Sequence, residues 1–287
     1  MKTINSLSGG KTSSYIAAHY PADYNVFSLV RTNDKSCLFP DAKVRQLVSD
    51  KIGTEFIGTL EMNTIIYTML DLEQFIGERI DWISPVTFDD IIKRNKGKNI
   101  YLPNKVQRFC TVEMKINPIF YYWADKCKKQ VCEMRIGYRA NETKRAKKML
   151  ESCDDKGIQH MKGTFEKNKN GTNKWQTLPY RVPTFPLIKD NIYKIDIENY
   201  WQDKKVRFAY LNNCVGCFHR NPVLLKHMSN KAPEQYNWFV KQEESGKNYN
   251  NASFKSDITY RQIKDSLEQL QLFDDDFNEC DSGYCGL

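Results

Sequence analysis

The sequence predicts an α/β protein built on a twisted, mostly parallel sheet, and two observations support this prediction. The first thirty residues read as strand, loop, helix and strand, with strands at Thr3 to Leu7 and Asn25 to Val30. Helical apolar spacing follows in Asp41 to Ile52, and Thr54 to Leu60 has strand character. Strands that alternate with helices are typical of a parallel sheet with helices on its faces.

The 287 residues are enough for one large domain followed by a smaller module. We predict a nucleotide-binding α/β domain over residues 1–190 and a helical module over residues 191–287 that brings its cysteines over the strand ends. Within the first domain, a helix is expected from about Val112 to Lys128. The polar, Gly- and Asn-rich stretch from Lys162 to Lys174 predicts an exposed hairpin or loop.

Charge and cysteine content limit the partners and the compartment. With 43 Lys and Arg against 35 Asp and Glu, the net charge is +8, so nucleotides and nucleic acids are both candidate partners. The chain shows no apolar signal segment and no run of about 18 apolar residues, so we expect no membrane partner. Nine cysteines without an export signal are expected to be thiols or metal ligands, which favours the cytoplasm.

The segment SGGKTSS, Ser8 to Ser14, lies between the first predicted strand and the first predicted helix. Glycines let the backbone approach an anion, the hydroxyls add donors, and a helix N-terminus favours phosphate. The NTPase P-loop pattern would require glycine where Asn5 stands, so that identity fails, and a plain Gly-rich turn is the alternative. The candidate phosphate-binding residues are Ser8, Gly9, Gly10, Lys11, Thr12 and Ser13.

SGGKTSS resembles the PP-loop of the adenine-nucleotide alpha-hydrolase-like superfamily. Further segments are similar to its phosphoadenosine-phosphosulfate (PAPS) reductase branch, in the same order and over nearly the whole chain. They are TNDKSCLFPDA (Thr32 to Ala42), LPNKVQRFCTVEMKINP (Leu102 to Pro118), RIGYRANETKR (Arg135 to Arg145) and the cysteines near the C-terminus. The resemblance implies a PP-loop fold and sulfur chemistry on an adenine nucleotide.

Two positions depart from the family pattern. ATP-cleaving relatives carry SGGxDS, and Thr12 stands where they have aspartate, so magnesium-dependent pyrophosphate release is expected to be impaired. The family's Asp-Thr-Gly after the second strand is replaced by Thr32, Asn33 and Asp34, which weakens the expectation that this loop recognises the nucleoside.

Four basic residues lie in the segments that resemble the family's substrate-facing loops. Guanidinium groups pair bidentately with phosphate and sulfate oxygens, which makes these residues candidate ligands of a nucleotide. The alternative is that they are solvated surface cations. They are Arg108, Lys115, Arg139 and Arg145.

The cysteines offer a candidate metal centre. Cys214 and Cys217 form a CxxC, and Cys280 and Cys285 form a second close pair, so the four thiolates could share Zn²⁺ or an iron–sulfur cluster. Unpaired buried thiols and redox pairs are the alternatives. The resemblance favours [4Fe–4S] and makes Cys110, in the RFCT segment, a rival ligand with Cys214 and Cys217.

The chain ends in Cys-Gly-Leu, which resembles the C-terminal segment that carries the nucleophilic cysteine of the reductases. The resemblance makes Cys285 a candidate nucleophile, although the neighbouring glutamate is Tyr284 here and the histidine is missing. A thiolate there would attack the sulfur of a sulfate group and be released by an external thiol. The candidate catalytic cysteines are Cys285 and Cys110.

Three functions follow from these patterns. The first is reduction of a sulfonucleotide, with an adenine nucleotide as substrate and a thiol reductant protein as partner. The second is ATP-dependent thiolation of a nucleic acid, for which a role of Mg²⁺ stays open. The third is a non-catalytic nucleotide-binding module with structural zinc.

Overall fold

The computed structural model describes residues 1–94, 99–245 and 252–267. Its main sheet has the order β5-β2-β1-β8-β10-β9, and two small two-stranded sheets pair β3 with β4 and β6 with β7. The strands are β1 (Thr3–Leu7), β2 (Tyr24–Ser28), β3 (Arg31–Thr32), β4 (Gly58–Thr59), β5 (Ile80–Ile83), β6 (Lys93–Arg94), β7 (Asn99–Ile100), β8 (Cys132–Arg135), β9 (Gln159–Lys167) and β10 (Asn173–Thr184).

The helices alternate with these strands in the first half of the chain and follow one another in the second half. They are α1 (Lys11–His19), α2 (Ala42–Ile52), α3 (Thr64–Ile76), α4 (Phe88–Ile92), α5 (Phe109–Thr111), α6 (Asn117–Lys126), α7 (Thr143–Leu150), α8 (Pro186–Lys189), α9 (Lys194–Trp201), α10 (Pro222–Lys231), α11 (Pro233–Ser245) and α12 (Tyr260–Asp265). Within the described ranges, no helix is both long and apolar enough to cross a membrane.

The sheet is mostly parallel, as the sequence predicted. Strands β5, β2, β1, β8 and β10 run parallel to their neighbours, and β9 pairs with β10 in the antiparallel sense. The chain begins at β1 in the middle, moves out to β5, and then crosses to β8 on the other side. The carboxyl ends of β1 and β8 therefore form the point where strand order reverses, which is where α/β sheets bind ligands.

Two cores cover the faces of the sheet because successive strand residues point to opposite sides. In β2, Phe27 packs in the core beneath α1, α2, α3 and α9, whereas Val26 packs in the core beneath α6 and α7. A third core joins α10, α11 and α12 to residues that follow β2 and β4, among them Val30 and Leu60. Helix α9 packs on α1, with Trp201 Nε1 donating to the Lys11 carbonyl at 3.0 Å.

The helix expected from Val112 to Lys128 is present and begins three residues earlier, at α5. A π-helical turn, Val112–Ile116, lies between α5 and α6. Such turns insert a residue into the helical register and are frequent at functional sites. This one carries Lys115 and directly follows α5, which contains Cys110.

The stretch from Lys162 to Lys174 lies in a hairpin, as expected. Its strands β9 and β10 are joined by a tight turn at which Gly171 has φ +80°. At the base of the hairpin, a Cβ on Gly163 would lie 2.3 Å from Phe120 Cε1, so glycine is required for β9 to lie against α6. The hairpin is thus anchored on one helix and extends from the edge of the sheet.

An ion pair ties the segment after α9 to α3. Asp71 accepts hydrogen bonds from Arg207 Nε and Nη2, both at 2.7 Å, and from the Arg207 backbone N–H at 3.0 Å. Burial raises the pKa of the Asp71 carboxyl, but these hydrogen bonds outweigh burial and hold the pKa below its ordinary value.

We therefore expect Asp71→Asn to lower the free energy of unfolding by about 0.5–1 kcal/mol at pH 7. A carboxyl whose pKa is depressed in the folded state stabilises the fold above its unfolded pKa, and this contribution is lost as pH falls through the folded value. Urea titrations from pH 7 to pH 3 should show the two proteins converging below about pH 4. The exposed Asp155→Asn is the control, and an Asp71 effect independent of pH would contradict the assignment.

Candidate functional site

The glycine loop, Ser8 to Ser14, leaves the carboxyl end of β1 and enters α1. Gly9 has φ +76°, in the left-handed region, and a Cβ there would lie 2.6 Å from Ile65 Cγ2 of α3. A Cβ on Gly10 would lie 2.8 Å from Asn212 Nδ2. The backbone is therefore packed between α3 and the segment around Asn212 in a conformation that favours glycine.

Hydroxyl groups close the loop from within. The Ser8 backbone N–H donates to Ser13 Oγ at 3.2 Å, and Ser13 Oγ donates to the Gly10 carbonyl at 3.1 Å. In the described residues no side chain caps α1, whose N-cap is Gly10. The first amides of α1 thus have no side-chain cap, and a phosphate could accept hydrogen bonds from them and from the exposed Ser8 hydroxyl.

Lys11 and Thr12 face neighbouring elements. The Lys11 ammonium donates to Glu198 of α9, so a carboxylate offsets the charge that the sequence assigned to this loop. Thr12 faces the loop after β8, because a Cβ on Gly137 would lie 3.3 Å from Thr12 Cγ2. The glycine loop and the β8 loop are therefore direct neighbours.

Glu142, the N-cap of α7, binds Arg139 of the loop after β8 and Arg145 of α7. Glu142 accepts from the Arg139 backbone N–H at 2.9 Å, from Arg139 Nε at 3.1 Å and from Arg145 Nη1 at 2.5 Å. The Arg145 guanidinium also lies 4.3 Å from the ring centre of Tyr138. One carboxylate thus positions both guanidinium groups beside the glycine loop.

Three cysteines that are far apart in sequence line one cavity. Cys110 comes from α5, whereas Cys214 and Cys217 come from the turn before α10, and together they form part of a mostly apolar cavity of ≈ 30 Å³. We call it the thiol cavity. Lys115 of the π-helical turn and Asn213 also line it. The rival grouping of Cys110 with Cys214 and Cys217 is thus brought together in space.

The CxxC turn is fixed by contacts from two helices. The Cys217 N–H donates to the Cys214 carbonyl at 3.1 Å, and Tyr260 of α12 donates to the Gly216 carbonyl at 2.8 Å. A Cβ on Gly216 would lie 2.4 Å from the Phe239 ring of α11, so only glycine fits this turn. The two thiols therefore sit on a rigid support.

A short segment connects the glycine loop to the thiol cavity. Asn212 lies against Gly10, and the next two residues, Asn213 and Cys214, line the cavity. Asn213 has φ +69°, a conformation that asparagine tolerates better than most residues. Any movement of this segment would therefore shift contacts at both the glycine loop and the thiol cavity.

Arg220 and Glu61 are buried beside this segment, and motif reasoning missed both. Each is 1% exposed. Arg220 Nη2 donates to the carbonyls of Asn212, Asn213 at 3.5 Å and Cys214 at 3.3 Å. Glu61 pairs with Cys214 as an isolated antiparallel β-bridge, and its Oε1 lies 3.4 Å from Lys115 Nζ. The one sequence signal was the position of Arg220, three residues after the CxxC.

The charges around the cavity shift the acidity of its groups. Burial, followed by the charge of Glu61, raises the pKa of the Cys214 thiol well above its ordinary value, and Lys115 opposes this shift. Burial also raises the pKa of the Glu61 carboxyl, against Lys115 and Arg220. Cys214 is therefore a neutral thiol at pH 7 unless a metal or a further cation stabilises the thiolate.

Several basic residues act on His219, which lies two residues after Cys217. Burial lowers the pKa of His219 to about 4, and the charges of Arg108, Lys105 and Lys255 contribute to this shift. Burial and the charge of Lys105 also lower the pKa of Lys255. Arg108 Nε is buried without a hydrogen-bond partner among the described residues. This accumulation of positive charge favours an anion near the thiols.

The predicted metal centre has two of its four cysteines, Cys214 and Cys217, within the described residues. Within residues 1–94, 99–245 and 252–267, no group of three or more His, Cys, Asp or Glu is placed to hold a metal ion. Cys280 and Cys285 lie outside the described residues. The four-cysteine site and the role of Cys285 as nucleophile therefore stay predictions.

The buried pair of Glu61 and Lys115 makes a specific prediction. Lys115→Met should lower the free energy of unfolding by about 3 kcal/mol, because it removes the cation that is hydrogen-bonded to a buried carboxyl. The pKa of that carboxyl would rise further, so it would bind its proton more tightly in the folded state, and stability should fall as pH rises from 5 to 8.

Adding Glu61→Gln to Lys115→Met should restore more than half of the loss and remove its pH dependence. Urea titrations at both pH values measure this cycle, with Lys231→Met on the exposed end of α10 as the control. A double variant no more stable than the single variant would show that the pair is not the source of the effect.

Comparison with protein-family profiles, with curated proteins and with solved structures gives no match for this chain. The function is therefore inferred from the motifs of the chain, from the point where strand order reverses and from the geometry of the thiol cavity.

Proposed function

We propose that this protein is an enzyme of the PAPS reductase type, which binds an adenine nucleotide at the glycine loop and performs sulfur chemistry at its thiols. The observation that carries the proposal is the connection between the two places. Asn212 lies against Gly10, and Cys214, two residues later, shares a cavity with Cys110 and Cys217. A nucleotide at the loop would thus have a short path to three thiols.

The support for nucleotide binding is the combination of position and donors. The loop lies where strand order reverses, its backbone requires glycine at Gly9, and α1 presents its first amides there. Arg139 of the neighbouring β8 loop and Arg145 of α7 are the cationic side chains beside it. A phosphate would compete with Glu198 for Lys11.

The proposed reaction is reduction of a sulfonucleotide. A cysteine thiolate, from Cys285 or Cys110, attacks the sulfate sulfur, the bond from sulfur to the phosphate oxygen breaks, and the nucleotide leaves with that electron pair. A thiol of a reductant protein or of glutathione then attacks the cysteine sulfur, which releases sulfite and leaves a mixed disulfide. A second thiol reduces that disulfide, while Arg108 and Lys115 would neutralise the sulfate oxygens.

The proposal includes a metal centre that cysteine thiols would hold. Cys110, Cys214 and Cys217 supply thiols that suit Zn²⁺ or a [4Fe–4S] cluster, and Cys280 or Cys285 would complete the set. A bound cation would stabilise the thiolate form of Cys214, whose pKa is otherwise raised.

The second candidate function is ATP-dependent thiolation of a nucleic acid. One observation favours this function: Cys110, Cys214 and Cys217 line one cavity without any contribution from the C-terminal cysteines. In this reaction the acceptor would be adenylated by ATP and a cysteine or cluster would hand over sulfur. Thr12, in place of the aspartate of ATP-cleaving relatives, counts against it. For either enzyme we propose a cytoplasmic location.

Gly9→Val should abolish nucleotide binding, because the side chain would collide with Ile65 and distort the loop backbone. Gly53→Val is the matched control, since Gly53 has φ +68° and nothing lies within 4 Å of its Cβ. Calorimetry with ATP and with adenylyl sulfate measures both variants. If Gly9→Val does not fold, Ser13→Ala tests the same site, and we expect it to lower the affinity for the nucleotide roughly fivefold. Unchanged affinity in the folded loop variant would refute the proposed nucleotide site.

Anaerobically purified protein should release sulfite from adenylyl sulfate, or from its 3′-phosphate, with thioredoxin or glutathione supplied and without Mg²⁺. Cys110→Ser and Cys217→Ser should each reduce the rate at least tenfold, whereas Cys153→Ser, remote from the cavity, should not. A parallel assay measures pyrophosphate release from ATP with a nucleic-acid acceptor present.

Acceptor-dependent pyrophosphate without sulfite would contradict the reductase and support thiolation. Neither product, together with zinc in the metal analysis of the same preparation, would support a nucleotide-binding module.

A further inference from the structure

The β9–β10 hairpin extends past the rest of the sheet. Among the described residues, β10 pairs with β8 only from Arg181 to Thr184, whereas its part from Asn173 to Pro179 pairs with β9 alone. At about 3.4 Å per residue, this free part is roughly 25 Å long. We call its outer portion, residues 166–175, the ribbon.

The ribbon has no core beneath it. Residues 166–175 are all exposed, and the last anchoring contacts toward the tip come from Phe165, whose ring packs 5.4 Å from Tyr121 of α6. An isolated two-stranded hairpin is marginally stable in water, so hydrophobic burial does not explain why the strands continue this far.

Local contacts nevertheless give the ribbon a defined shape. Asn168 N–H donates to the Thr172 carbonyl at 2.7 Å, and Gly171 N–H donates to the Asn168 carbonyl at 2.9 Å. Across the strands, Lys174 Nζ lies 3.0 Å from Glu166 Oε2. A preformed ribbon loses little conformational entropy when it binds a partner.

The side chains of the ribbon combine positive charge with an exposed aromatic ring. The ribbon carries three lysines, Lys167, Lys169 and Lys174, and one acidic residue, Glu166. Trp175 is 55% exposed, and Lys162 Nζ lies 5.8 Å from the centre of its ring.

Two further lysines stand at the base of the hairpin. Lys128 and Lys129, after α6, both have left-handed backbone conformations, with φ +51° and φ +60°, which cost energy for residues other than glycine. Lys129 Nζ lies 4.1 Å from the centre of the Phe165 ring, and Lys128 is 3.5 Å from Asp125. The positive charge of the ribbon thus continues onto the body of the protein.

We propose that the ribbon is an anchoring surface for nucleic acid. Lysines contact phosphates, an exposed tryptophan stacks on bases or sugars, and a two-stranded β-ribbon has the width that a duplex groove admits. Strand β10 runs parallel to β8, so its carboxyl end lies at the same end of the sheet as the glycine loop. The ribbon includes the amino-terminal part of β10 and therefore extends from the opposite end of the sheet. It therefore holds a nucleic acid away from the nucleotide site, and the proposal does not depend on the proposed reaction.

The test measures binding of the full-length protein to a fluorescein-labelled 20-base-pair DNA duplex, the matching RNA duplex and the single strands, by anisotropy at 50–200 mM salt. Lys167→Ala/Lys169→Ala/Lys174→Ala should weaken binding at least tenfold at low salt and reduce the salt slope by up to about three. Trp175→Ala should weaken binding at least threefold with little change in the salt slope.

The control removes the same charge elsewhere, in Lys35→Ala/Lys43→Ala/Lys231→Ala, whose lysines are exposed on other elements. It should change affinity less than twofold. Equal losses in the two triple variants would overturn the proposal, as would absence of binding by the wild-type protein at 50 mM salt. Binding to vesicles with 30% phosphatidylserine but to none of the nucleic acids would also overturn it. Loss of nucleotide binding in Gly9→Val would leave this result unchanged.

Discussion

The segment from Asn212 to Cys214 depends on one buried guanidinium. Arg220 Nη2 donates to the carbonyls of all three residues from a side chain that is 1% exposed. Burying a cation is costly, and the cost is tolerated here because the carbonyl dipoles and the nearby Glu61 offset it. The constraint places an amide against the glycine loop and a thiol in the cavity at the same time.

The same cavity joins apolar packing with charge. Two residues fix the CxxC turn. The Phe239 ring leaves no room for a side chain at Gly216, and Tyr260 donates a hydrogen bond to the Gly216 carbonyl. Around this rigid support, Glu61 and Lys115 pair in low-dielectric surroundings, and Arg108 and Lys255 add positive charge. The Cys214 thiol stays neutral until a metal or a further cation stabilises its thiolate form. That sensitivity suits a place where sulfur is transferred.

The sheet separates the proposed activities in space. Its parallel strands bring the glycine loop and the β8 loop to one end of the sheet, because all their carboxyl ends point the same way. The lysine-bearing ribbon of the antiparallel hairpin extends from the other end. Nucleotide chemistry and nucleic-acid anchoring therefore need not compete for the same surface.

Local patterns in the sequence were sufficient for the parallel sheet, the helix before β8, the exposed hairpin and the glycine loop, because each depends on periodicity or on turn residues close together in the chain. The sequence also named Cys110, Cys214 and Cys217. Whether these thiols meet depended on the crossing from β5 to β8 and on packing between distant segments, which no local pattern encodes. Glu61, Arg220 and the pairing of Lys11 with Glu198 likewise became visible only in the tertiary structure, since a buried charge is recognised by what surrounds it.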